Sequence, residues 1–214
     1  FFFSEEFRRV ITYTAVQGLA PNANEKKGIF STPVCVQLNT SNGTCTLTST
    51  TVTNIDPLAA AYIKDIFSKI PDAPGTGHTL NASFRNVNNF RQELIRIDHV
   101  FSPKWSVAAR YTQDAIPTIE PRGLFTAAAL PGVSTTSTNA PGKNFIVRVT
   151  GSITPSLVNE AGYSYSYGAV LSDAIGLDAS ANSPDIQPKL PFPVSLGRVP
   201  TVSFSGALST VTGF

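Results

Sequence analysis

Charge, histidine, cysteine, methionine and long apolar runs are all scarce in this sequence, and each shortage removes a class of function. Of 214 residues only 14% are Asp, Glu, Lys or Arg, against about a quarter in soluble domains. The net charge of +2 supplies no basic footprint, so nucleic acid is not an expected partner. His78 and His99 are the only histidines; no Ser or Cys sits in a nucleophile elbow, and no Gly-rich phosphate loop precedes a helix. The carboxylate pairs Glu5 with Glu6 and Asp98 with Asp114 stand near Arg8, Arg9 and Arg110 and read as balanced charges, not acid–base machinery. No enzyme activity, catalytic residue, cofactor or metal is therefore expected. No run of about 18 apolar residues exists, which excludes a transmembrane helix; the best candidate, "PLAAAYIKDIF", is broken by Lys64 and Asp65. The chain opens "FFFSEEFRR", with no initiator Met, basic leader or cleavage site, and reads as a segment cut from a longer protein at both ends.

The two cysteines, Cys35 and Cys45, lie in the polar stretch "CVQLNTSNGTC" with no His or further Cys near enough in sequence for a zinc cluster. A disulfide closing a small exposed loop is the favoured reading and two free thiols the alternative; the disulfide implies an oxidising compartment or the cell surface. The sequons at Asn39, Asn42 and Asn81 read as turn chemistry in a bacterial protein.

What the chain does have is Thr, Ser and Asn interleaved with apolar residues, which suits strands and long polar loops. Residues 1–16 read as a strand, although Glu5 and Arg9 interrupt its apolar parity. Residues 90–101 and 105–116 form a hairpin turning at "FSPKW", and residues 144–153 and 157–171 form a second turning at "ITPSL". About five strands result, with connections that alternate long and short.

Each hairpin has two chemically distinct faces. Arg96, Asp98, Arg110 and Asp114 share one face of the first, and Arg148 and Glu160 one face of the second. With turns centred on Pro103 and Pro155, Asp98 is expected diagonal to Arg110, and Glu160 diagonal to Arg148. The opposite faces carry Ile95, Ile97, Phe101, Val107, Ala109 and Tyr111, then Phe145, Val147, Val149, Ala161, Tyr163 and Tyr165. A soluble sandwich would need a second sheet to cover them, and these few strands and long loops do not supply one. In a membrane barrel the apolar face meets lipid, the charged face lines the lumen, and aromatics gather near the interfaces. His99, on the apolar face beside a turn, then sits at the membrane interface. The expected fold is all-β: antiparallel up-and-down strands of a partial transmembrane barrel.

In the longest loop, 17–89, Asp56 and Pro57 mark a helix start, and Leu58, Tyr62, Ile63, Ile66, Phe67 and Ile70 fall on one stripe that ends at Pro71. This helix, near 57–70, is expected to dock on its own domain. The loop 117–143 and the tail from 172 show no period, and loops of such length are usually functional or disordered.

Taken together, "FFFSEEFRR", "KKGIFST", the Pro-capped loop helix, "QELIRIDHVFSPKWSVAARY" and "GVSTTSTNAPGKNFIVRVTGSITPSLVNEAGYSYSYG" resemble the barrel of TonB-dependent outer-membrane transporters. Among these the chain looks like the Oar-like group, which carries an N-terminal carboxypeptidase-regulatory-like domain. Arg96, Asp98 and His99 match that group's Arg-x-Asp-His strand before a periplasmic turn. The resemblance implies a barrel of about 22 strands with a plugged lumen, energised through TonB, that imports a scarce bulky ligand across the bacterial outer membrane. The plug, the TonB box and the closing strand are not recognisable here, so residues 1–214 are expected to be an incomplete barrel segment that reaches the TonB system only through the missing plug. Turns 102–104 and 154–156 would face the periplasm and loops 17–89, 117–143 and 172–214 the outside, where Tyr62, Phe125 and Phe192 are candidate contacts for an unknown extracellular ligand. The implied partners are outer-membrane lipid, the TonB system and that ligand. The alternatives are a barrel with a structural or adhesive surface role and a soluble all-β binding module.

Overall fold

A computed structural model describes residues 1–122, 129–194 and 196–202. The elements in chain order are β1 (Phe2–Leu19), β2 (Ile29–Leu38), β3 (Cys45–Thr51), α1 (Pro57–Asp65), β4 (Thr79–Ser102), β5 (Trp105–Ala115), β6 (Thr118–Glu120), β7 (Thr136–Asn139), β8 (Gly142–Thr154), β9 (Leu157–Gly168) and β10 (Leu171–Ala174). Eight strands form one sheet in the order β10-β7-β6-β4-β5-β8-β9, with β1 also paired to β4, while β2 and β3 form a separate pair. The sheet does not close on itself among the described residues. No described helix is long and apolar enough to cross a membrane.

The chain divides into two compact units. The first, comprising Phe1–Thr12, Asn86–Ile119 and Ser137–Asp173, is built on the two expected hairpins. In β4–β5, Arg96 lies opposite Arg110 and Ile97 opposite Ala109, with Ser102 facing Trp105 across the turn. In β8–β9, Val147 faces Tyr163, and Thr154 faces Leu157 across the turn. Each turn thus holds two residues led by Pro103 or Pro155, whose ring presets φ for the first turn position. Such turns twist against the strands they join; each hairpin has a register shift just before its turn, at Val100–Ser102 and at Ser152–Thr154.

The second unit comprises Tyr13–Arg85, Glu120–Thr136 and Ala174–Phe214, and every buried apolar residue of the described chain lies in it. Asp56 caps α1 by accepting from the Leu58 and Ala59 amides, and Pro57 occupies the first turn. The helical stripe buries Tyr62, Ile66, Phe67 and Ile70 against Leu80, Leu130, Val133, Ile186 and Val199, so α1 docks on its own domain. Lys64 and Asp65, which interrupt the apolar run, serve this docking. Lys64 pairs with the Asp185 carboxylate at 2.7 Å, and buried Asp65 accepts from the Asp185 amide at 2.8 Å.

Several expectations are corrected. The first strand extends to Leu19, and β4 begins at Thr79, far ahead of residue 90. The α-helix stops at Asp65 and continues as a single 3-10 turn, Phe67–Lys69, before Pro71. Among the described residues there are, besides the five long strands, five short ones, and the segments without period contain β6, β7 and β10. Short strands held by backbone pairing and polar side chains, as Thr138 to Ser172 between β7 and β10, leave no apolar alternation to read.

Candidate functional site

Among the described residues the sheet unit has no buried apolar residue: its apolar side chains are exposed or half-buried, with Ile97 51% and Tyr163 64% exposed. The rows across β4, β5, β8 and β9 show why. Ile95 faces Tyr111, which faces Phe145, which faces Tyr165; the next row is Ile97, Ala109, Val147 and Tyr163. Near the turns the same face carries His99, stacked edge-on against Phe101 at 4.6 Å, and Trp105, whose ring lies over Gly151. At the other end the apolar rows give way to Glu93, Gln113, Lys143 and Tyr167 in register.

Next to this polar row Glu5 of β1 finds its partner. Glu5 pairs with Arg91 at 3.5 Å, and Arg91 also pairs with Glu93 and lies 5.1 Å from the Phe7 ring centre. Glu5 is therefore balanced by Arg91 of β4 and not by Arg8 or Arg9; Arg8 stacks over Phe90 at 5.4 Å. β5 and β9 have 11 and 12 residues. At about 3.3 Å per residue and a tilt of about 40° they climb roughly 28–30 Å, the thickness of a bilayer's apolar layer.

The opposite face carries the charged residues. Asp98 is diagonal to Arg110, as the turn position implies, because Arg96 faces Arg110 and Asp98 faces Ala108. Its ion-pair partner is nevertheless Arg96, two residues away on its own strand, at 2.9 Å through two guanidinium nitrogens. Glu160 is diagonal to Arg148 and 3.8 Å from it. Both pairs are more than half exposed, where such contacts contribute little to stability. Asp114 bends over the backbone of Gly142, its neighbour on β8, where a Cβ would collide with it. Among the described residues no carboxylate pairs with Arg110. Arg96, Arg110 and Arg148, with Ala108, Ala109 and Ile146, line an open recess of about 250 Å³.

In the loop unit Cys35 and Cys45 are joined by a disulfide with Cα atoms 5.8 Å apart, tying the exposed β2–β3 hairpin. Its tip follows from side-chain hydrogen bonding in the turn: Asn39 accepts from the Ser41 amide, Asn42 from the amide and hydroxyl of Thr44, and Gly43 adopts φ +70°. Asn81, the third sequon, is in β4 and accepts from Gln17. His78 is 2.7 Å from Glu25. Tyr62, expected on the outside of the loop, is instead packed inside it: it is 6% exposed, and its hydroxyl donates to the Pro200 carbonyl. Phe192 is exposed, and Phe125 lies outside the described residues. Burial pushes the Asp178 carboxyl above its ordinary value, while Arg198 and the Ser134 hydroxyl pull it down.

A two-faced antiparallel sheet whose bare apolar side has the height of a bilayer is the wall of a transmembrane β-barrel. Comparison with known families agrees: the family described as outer membrane beta barrel domain matches residues 1–214, and the chain belongs to it. No curated protein and no solved structure matches the chain. The location is the bacterial outer membrane, which removes the soluble binding module from consideration.

Proposed function

We propose that the chain is part of a TonB-dependent outer-membrane receptor of the Oar-like kind, one that binds a scarce bulky ligand outside the cell and imports it. In this reading the apolar face meets outer-membrane lipid and Arg96, Asp98, Arg110, Asp114, Arg148 and Glu160 line the lumen. The tight turns at 102–104 and 154–156 face the periplasm, and the protein acts by binding and transport, without catalysis. The observation that carries it is the contrast between connections: two-residue turns join β4 to β5 and β8 to β9, whereas the long connections fold into a unit with its own core. Loops elaborated to that degree suit capture of a large ligand. The test uses full-length protein in detergent and the purified periplasmic domain of TonB as probe. Retention of that domain by the receptor is expected; no retention under any loading overturns TonB coupling.

A structural or adhesive role is the second reading. The observation favouring it is the disulfide-tied, largely exposed β2–β3 hairpin, a contact surface that needs no transport cycle. A barrel that binds cells or matrix and lacks TonB affinity would establish it.

A further inference from the structure

The polar face holds a charge arrangement that the wall alone does not require. Arg96 and Arg110 face each other directly across β4 and β5, a like-charge placement that weakens a strand pair. Arg148 is diagonal to Arg110, because Arg148 faces Ala108 while Arg110 faces Ile146. Three arginines therefore line one recess. Asp98 and Glu160 offset two of them. Asp114, the remaining carboxylate of this face on β5, is turned onto Gly142. Small residues keep the floor open: Ala108 lies between Asp98 and Arg148 in its row, and Gly162 follows Arg148.

We propose that Arg96, Arg110 and Arg148 form a binding site for an oxyanion group, carboxylate or phosphate, carried by a solute inside the barrel. The proposal rests on the reading of the polar face as the lumen, and it adds the chemical class of what is bound there. The fork of Arg96 is taken by Asp98, so Arg110 supplies the guanidinium fork that matches the two-oxygen edge of such a group. With Asp98 and Glu160 offsetting two of the three arginines, the positive charge left at the recess is that of Arg110, which attracts anions. Arg110 is the anchor, since it alone has no carboxylate partner among the described residues; Arg96 and Arg148 are held in place by theirs.

The test places one thiol in the recess of the full-length protein, Ile146→Cys, with other free thiols removed and Val147→Cys as the control on the apolar face. Anionic and cationic water-soluble thiol reagents are compared, with and without inorganic phosphate. At Ile146→Cys the anionic reagent should react about tenfold faster than the cationic one, and phosphate should slow it. Adding Arg110→Gln, in protein confirmed as folded by its heat-modifiable gel mobility, should bring the two rates close together and remove the protection by phosphate. Equal rates for the two reagents with Arg110 intact would overturn the site. So would a fast anionic reaction that phosphate leaves unchanged, because that is a field without a bound anion. Reaction with neither reagent would remove the lumen, and the site with it, a failure distinguishable from the other two.

Discussion

Single residues decide which side of the sheet belongs to which solvent. Ile97 and Arg96 are sequence neighbours on opposite faces, and neither is covered by another layer. A charge at Ile97 would therefore meet the bilayer, while loss of charge at Arg96 removes only a solvated ion pair. Ile97→Arg is expected to cost about 2–4 kcal/mol of folding free energy in lipid, and Arg96→Ala within about 1 kcal/mol of nothing. Equilibrium refolding into vesicles reads both. Similar costs at the two positions would contradict the alternation. Neighbours in sequence also supply partners here: Asp98 takes Arg96 on its own strand, because side chains two residues apart share a face.

Among the elements, α1 shows how a loop becomes a folded unit. Its cap is local, since Asp56 accepts from amides two and three residues on. Its stability is not local, because a helix of 9 residues is too short to persist alone. It depends on burying Tyr62, and Ile66 and Phe67 just beyond the helix end, against segments distant in sequence. Phe67→Ala is expected to cost the loop unit about 3–5 kcal/mol and Asp56→Ala about 1 kcal/mol. The measure is susceptibility of full-length protein in micelles to limited proteolysis, with barrel strands still protected. Equal sensitivity in wild type and Phe67→Ala would mean that this core does not hold the loops.

For the molecule as a whole, the sheet ends on strands whose outer edges are open: β9 pairs only with β8, and β1 only with β4, among the described residues. Unpaired edges and a bare apolar face both favour association in water. The isolated 214-residue chain is expected to aggregate without detergent; a soluble monomer that unfolds cooperatively in size-exclusion and denaturation measurements would overturn the barrel reading.

The two hairpins, their turn positions, the division of Arg96, Asp98, Arg110, Asp114, Arg148 and Glu160 from the apolar rows, and the stripe of α1 were all legible in the sequence. Each follows from a period of two or of 3.6 imposed by a contrast between two environments. The upper part of β4 and the short strands β2, β3, β6, β7 and β10 were not, because their alternation is weak and their order comes from backbone pairing. Nor was the burial of Tyr62 beneath Pro200, or the meeting of Leu130, Ile186 and Val199 in one core, since these contacts join residues with no common spacing. The sequence alone determined a strand wall with two unlike faces, because face is set by parity within one strand. Only the tertiary structure decided which charges meet, that Glu5 belongs with Arg91 and that Arg110 has no carboxylate partner among the described residues, because pairing across strands depends on register and on where each side chain finds room.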